Sequence, residues 1–360
     1  MDGAPQRLDS LDVFRGVTIA AMILVSTPGT WDGVYPQLEH APWNGWTIAD
    51  LVFPFLLFAM GAAVPFALAR RKAVGRRVRR HVVRRALTLF ALGVMLNAIV
   101  APSLAVTTLR IPGVLQRIAI VFAVVSWMTE RLTTRAQIAA AAAMLVGYWI
   151  ALAVAPLNAE HNVGAIIDQH IFGRHMLYPL WDPEGLLSTV PAIATALAGV
   201  FAGDWLTRGH ARSGTWRLWA AGLAATVVAI GWARLLPINK NLWTSSYALF
   251  TAGMAAQTLA LCHWVVDVRR WRRGVQPFVA FGRNALAAYF LSVGLDSVLL
   301  RWSTGSAPSL KTVIYRSAFA SWVRPCCGVE AASLAYAVAY VALWAAVLMA
   351  MYRRRIFIAI

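Results

Sequence analysis

The chain has 360 residues, 59% of them hydrophobic, and a mean hydropathy of +0.62, whereas soluble domains hold roughly 45–50% apolar residues. Apolar runs recur along the whole length, which excludes a soluble core with one anchor, and three cysteines exclude a disulfide framework. The formal charge of +18 would suggest nucleic acid in a soluble protein, but here the basic residues follow topology.

The first apolar segment, about 11–28, begins almost at the N-terminus and runs on without a small-residue cleavage site, so it reads as a retained helix. Nine further segments follow at about 47–69, 83–101, 112–128, 137–155, 186–206, 217–235, 245–266, 278–298 and 331–351. Each is near the roughly 20 residues needed to cross hydrocarbon. Arg70, Arg71, Lys72, Arg76, Arg77, Arg79, Arg80, Arg84 and Arg85 crowd one connection and the helix start after it. Arg269, Arg270, Arg272 and Arg273 crowd another, and Arg353, Arg354 and Arg355 follow the last segment. Such an excess marks the cytoplasmic side, where it meets anionic headgroups rather than nucleic acid. The expectation is an all-α polytopic membrane protein, one domain over residues 1–360, with about ten transmembrane helices and both termini cytoplasmic. Its outer loops are then 29–46, 102–111, 156–185, 236–244 and 299–330. In the last of these, Thr312 to Val323 is interrupted by Arg316 and too short to cross, which predicts an interfacial or re-entrant helix. Cys262 reads as a small apolar residue, and the adjacent Cys326 and Cys327 as poorly placed to bond to each other.

The stretch Leu38 to Leu51 carries a polar loop into the second segment. Pro42 suits a first helical position. A helix from there sets His40 beside an N-terminus whose dipole disfavours positive charge and favours the neutral imidazole of a general base. His40, Trp43, Thr47 and Asp50 then share one face at about 100° per residue. His40 and Asp50 would still be roughly 15 Å apart along that axis, so one straight helix cannot make them a dyad. A wetted interfacial histidine, with Trp43 and Trp46 in an aromatic belt, is the plainer reading. Asp50 resists it, because a carboxylate in a membrane segment is costly and usually functional.

Other polar groups sit at segment ends. Asp12 and Arg15 are spaced to pair with each other. Gln116 and Arg117 lie about a turn inside the fourth segment, and Arg117 requires a buried partner, with Asp50 and Asp296 the candidates. Glu184 sits near the start of the sixth, where a carboxylate is favoured. Asn239, Lys240 and Asn241 abut the outer end of the eighth, and Arg283 and Asn284 enter the ninth. His161, Asp168, His170 and His175 share the long outer loop without a ligand spacing, so no metal is expected. No phosphate loop, nucleophile elbow or dinucleotide fingerprint is present.

Several stretches taken together carry a resemblance. They are Leu8 to Gly16, His40-Ala41-Pro42-Trp43-Asn44-Gly45, Ala49 to Pro54, Arg110 to Arg117, Asp182 to Leu187, and Asn239 to Trp243. In this order they resemble the heparan-alpha-glucosaminide N-acetyltransferase family and its bacterial relatives in the transmembrane acyltransferase group. The resemblance implies acetyl transfer from cytoplasmic acetyl-CoA to an amino sugar or other glycan acceptor across a membrane, here a bacterial inner membrane, with no resident metal. It places the catalytic histidine at His40, with Asn44 and Asp50 in the same motif. Beside these, Arg15, Arg283 and Asn284 are candidates for CoA, and Trp43, Gln116, Arg117, Asn239, Lys240 and Asn241 for the acceptor. A homodimer is compatible with the sequence. The rival is a transporter or flippase for a sugar or lipid-linked sugar, which the intramembrane charges suit equally. The His-Ala-Pro-Trp-Asn-Gly cluster, which transport does not require, separates the two.

Overall fold

The computed structural model describes residues 8–73, 75, 78–101, 106–207, 211–303 and 307–358; Arg76 and Arg77 of the basic connection lie outside the described residues. Among those described, regular structure is entirely helical: α1 Asp9–Ser26, α2 Ile48–Ala73, α3 Val78–Val100, α4 Val114–Arg131, α5 Thr134–Leu152, α6 Val163–Phe172, α7 Thr189–Thr207, α8 Ala211–Trp232, α9 Ser245–His263, α10 Gln276–Arg283, α11 Ala285–Arg301, α12 Leu310–Tyr315 and α13 Ser321–Arg353. Several starts are set by capping side chains. Thr133 accepts from the Ala136 N–H, Asn162 from Ala165, Thr244 from Tyr247 and Ser309 from Thr312, each pairing a donor the helix leaves unsatisfied.

Helix α2 is the central post. It packs on α7, and α1 packs on α10, α3 on α4 and α8 on α9. Between membrane helices the driving force is close packing, which small residues permit. Gly199 and Gly203, four apart on α7, face Phe58 and Ala62 of α2, and a Cβ on them would fall 2.1 Å and 2.2 Å from those carbonyl oxygens. Gly282 of α10 meets Asp12 of α1 in the same way, at 1.9 Å.

All ten apolar segments are helical. Six stretches are long and apolar enough to cross a membrane, and α10 with α11 makes a seventh if that pair, bent by 84°, counts as one. Helices α1 and α4 are only 18 residues long and carry three charges apiece, Asp9, Asp12 and Arg15 in the one and Arg117, Glu130 and Arg131 in the other, which leaves neither with an uninterrupted apolar span. The expected interfacial helix at 312–323 runs instead from α12 through a wider turn into α13, and the backbone breaks at Gly328 (φ 88°, ψ 177°) before the last apolar span. There the exposed Cys326 and Cys327 are free thiols with their sulfurs 3.0 Å apart, not bonded to each other.

The α2–α7 contact predicts that Gly199→Val lowers thermal stability in detergent by about 1–3 kcal/mol or more through overpacking. Gly147→Ala, with nothing within 4 Å of the new Cβ, should be neutral or slightly stabilising, since Ala outdoes Gly in a helix.

Candidate active site

The site begins with a helix start that lies later than Pro42 suggests. Helix α2 starts at Ile48, so Pro42 belongs to a loop that folds back across the helix end. Asp50 supplies the carboxylate half of a capping box, returning from three positions in to the N–H of Thr47, the residue before the helix. Asp50 Oδ2 accepts from Thr47 N at 3.0 Å, from Thr47 Oγ1 at 3.2 Å and from Ala41 N at 3.1 Å. Oδ1 lies 2.8 Å from His40 Nδ1. The separation expected along one straight helix is therefore overturned: His40 and Asp50 are in direct contact because the intervening chain is not helical. Asp50 is fully buried while the His40 side chain is 54% exposed. A carboxylate only accepts, so Nδ1 carries the hydrogen and Nε2 presents its lone pair.

A second tier of charge holds this pair. Lys240 Nζ is 3.7 Å from Asp50 Oδ1. Burial pushes the Lys240 ammonium below its ordinary range, against the pull of Asp50 and Glu184. Tyr247 donates to the Asp50 carbonyl at 2.6 Å. The Asn239 amide donates to Asn44 Oδ1 at 3.1 Å, so Asn44 is tied to Asn239 and not to His40. Asn241, half-buried, makes none of these contacts.

Beside Lys240 runs a motif the sequence placed but did not pair. Arg110 grips Asp182 through two bonds, 2.8 Å and 2.6 Å, and also bonds Glu184. Glu184 precedes α7 by five residues and is held by Arg110 rather than by the helix end. Burial would raise the Glu184 carboxyl, but Arg110, Arg117 and Lys240 hold it below its usual value. Arg117 is 1% exposed and its partner is neither Asp50 nor Asp296. It donates to the carbonyls of Pro183 at 2.9 Å and Gly185 at 3.1 Å and to Ser188 Oγ at 2.5 Å, and sits 5.0 Å over the Trp243 ring. Asp296 pairs with Lys311 at 2.8 Å. The alternating charges of Arg110, Asp182 and Glu184 were the available signal, and their sequence separation of more than 70 positions hid it.

Aromatic rings line the same end. Trp43 donates to the Leu157 carbonyl at 2.7 Å and stands edge to face with Trp181 at 5.5 Å; Trp181 stacks on Tyr178 at 4.4 Å. His161, Asp168, His170 and His175 of the outer loop do not converge: Asp168 accepts from Leu186 N, and His170 and His175 contact the carbonyls of Ile166 and Leu109.

At the other end a cavity of about 350 Å³ opens among Arg15, Arg85, Arg283, Tyr289, Phe357 and Ile358. Its α2 lining begins at Leu56, about 9 Å along the helix from Asp50. The Nε atoms of Arg85 and Arg283 are buried without a hydrogen bond, the latter 3.6 Å from an Asp12 oxygen. Unmatched guanidinium donors of this kind suit phosphate. Asn284, next to Arg283, ties down the C-terminal tail through Ile356 and Ile358. Gln116 packs near Gly93 and Gly113, between α3 and the start of α4.

These features define a polytopic helical membrane protein with a histidine–carboxylate pair at one end and an arginine-lined cavity at the other. A family model described as heparan-alpha-glucosaminide N-acetyltransferase, catalytic, matches residues 7–238, and the chain belongs to that family. It is similar to heparan-alpha-glucosaminide N-acetyltransferase of Homo sapiens, 28% identical over 356 residues, covering 80% of this chain and 53% of the relative. The Mus musculus protein of the same name is 27% identical over 387 residues, covering 88% and 58%. The chain thus spans little more than half the length of either relative.

Burial, opposed by the hydrogen bond from Leu186 N and reinforced by the charge of Asp182, raises Asp168 from 3.8 to about 6. Between these values the folded protein keeps a proton that the unfolded chain has released, so stability should fall as pH rises from about 4 to about 6 and level off above. Glu184 acts oppositely, below its ordinary value. Asp168→Asn should remove the slope between pH 4 and 6, on the order of 1–2 kcal/mol after solvent screening, as read by melting temperature against pH.

Proposed function

We propose that this chain is a membrane-embedded acyltransferase that moves an acetyl group from acetyl-CoA to an amino sugar or other glycan acceptor on the opposite side of the membrane. The observation that carries the reading is His40, half exposed yet fixed by the buried Asp50 through Nδ1. His40 Nε2 takes the proton of the attacking amine or hydroxyl, or itself carries the acyl group in transit. As the new bond to the acetyl carbon forms, the carbon–sulfur bond breaks, and the imidazolium returns a proton to the departing thiolate. Asp50 stabilises that imidazolium, and Lys240, 3.7 Å away, keeps the carboxylate ionised. Asn44, exposed and anchored through its oxygen by Asn239, retains amide donors for the developing oxyanion. Arg15, Arg85 and Arg283 receive the phosphates of CoA, whose thioester arm follows the cavity along α2. The Trp43, Trp181 and Tyr178 rings offer flat apolar faces to a sugar. The family membership supports acetyl as the group transferred, since both relatives carry that reaction in their names.

Purified protein with radiolabelled acetyl-CoA and a panel of amino sugars tests the reading. His40→Ala should lower transfer by a factor on the order of 10²–10⁴ while acetyl-CoA binding and melting temperature stay close to wild type. A folded variant turning over at a comparable rate would refute the role.

The reading also includes ten crossings with both termini cytoplasmic, which places His40 outside. With Cys326 and Cys327 replaced by serine, a cysteine at Gly164 should react with an impermeant thiol reagent in intact cells, and one at Gly75 should not. The reverse pattern would invert the orientation.

A further inference from the structure

The basic end of α3 divides its arginines between two places. Arg85 turns into the donor cavity, its guanidinium 4.8 Å over the Phe122 ring. Arg79, Arg80 and Arg84 do not follow it. They line a separate open groove of about 850 Å³ with Val78, Val83, Leu87, Thr88 and Glu130. Among the described residues none of these three guanidiniums has an ion pair or a side-chain hydrogen bond, and Glu130 is the one carboxylate in the lining. Three unmatched cations around one groove call for an anion.

The rest of the lining says what sort of anion. Val83 is 50% exposed and Leu87 66%, on a helix apolar enough to cross a membrane with 22% of its apolar window buried. That face looks to lipid. From Arg80 to Leu87 the helix rises about 10 Å, so the groove is cationic at the level of headgroups and apolar at the level of acyl chains. Trp127, 58% exposed and a turn before Glu130 on α4, marks the same interface. A free phosphate or a soluble nucleotide uses the arginines and leaves the apolar half unexplained. A zwitterionic lipid leaves the excess of positive charge uncompensated.

We propose that this groove is a binding site for an anionic phospholipid, its phosphate held by Arg79, Arg80 and Arg84 and an acyl chain lying along Val83 and Leu87. Basic pockets beside membrane helices on the positively charged side take such headgroups. The lipid fastens the first turns of α3, which also carry Arg85, to the bilayer.

The test uses the full chain in nanodiscs of phosphatidylcholine with increasing phosphatidylglycerol. Lipid retained after transfer to detergent is counted by native mass spectrometry, and melting temperature is followed in parallel. The wild type should retain phosphatidylglycerol over phosphatidylcholine and melt several degrees higher with it, because a ligand of the folded state stabilises that state. Retention should drop roughly fivefold for each of Arg79→Gln, Arg80→Gln and Arg84→Gln. Glu130→Gln, which removes the opposing charge, should raise it. The triple change Arg269→Gln/Arg270→Gln/Arg273→Gln, equal in charge but elsewhere, should leave it unchanged. The single variants and Glu130→Gln decide the matter if the triple arginine change at the groove does not fold. Equal loss in the remote triple variant, or indifference of the wild type to phosphatidylglycerol, would overturn the proposal. So would an equal thermal shift from inorganic phosphate alone, which would make this a free-anion site.

Discussion

The Asp50 carboxylate is the constraint on which the His40 end of the protein depends. It is fully buried at the start of an apolar helix, where an unpaired charge is costly. Its two oxygens are satisfied by Ala41 N, Thr47 N, Thr47 Oγ1 and His40 Nδ1, with Lys240 nearby. Those donors come from the preceding loop, so solvating the carboxylate and folding the loop are one event. The loop cannot peel away without leaving an unmatched buried anion, and His40 is the donor with a side that still faces water.

Around this point the protein repeats one solution to one problem. Charges carried into the bundle are met by charges or carbonyls from distant parts of the chain: Arg110 by Asp182 and Glu184, Arg117 by the 183–188 turn, Lys311 by Asp296. Breaking one partner of such a pair costs more than the pair contributes, because the other charge stays buried. The 156–185 loop is thereby pinned over the His40 site, and its Trp181 reaches Trp43. Close packing through Gly61, Gly199 and Gly203 holds α2 against α7 beneath, so both ends of α2, the histidine end and the arginine cavity, keep a fixed spacing.

The departures from sequence-based expectation have specific causes. Pro42 is a good first helical residue, but Thr47-Ile48-Ala49-Asp50 is a better start because the Asp50 carboxylate, three positions on, takes the Thr47 N–H. Reading the proline first put His40 and Asp50 on one axis and out of reach of each other. Assigning Arg117 a carboxylate partner overlooked that a turn of backbone carbonyls disperses a guanidinium's charge as well. The hold of the Asn284 amide on a tail over 70 residues away could not be read from its neighbour Arg283.

By itself the amino-acid sequence determined the helical class and the ten apolar segments, and it marked the clusters of basic residues and the motif that holds His40, Asn44 and Asp50, because hydropathy, charge bias and short motifs are local properties. Tertiary structure alone decided that His40 touches Asp50, that Lys240 joins them, that Arg110 closes on Asp182 and Glu184, and that Arg85 completes the cavity of Arg15 and Arg283. The physical reason is the same in each case. A buried charge or hydrogen-bonding group is indifferent to how far along the chain its partner lies, and only the packed bundle fixes which of several candidates reaches it.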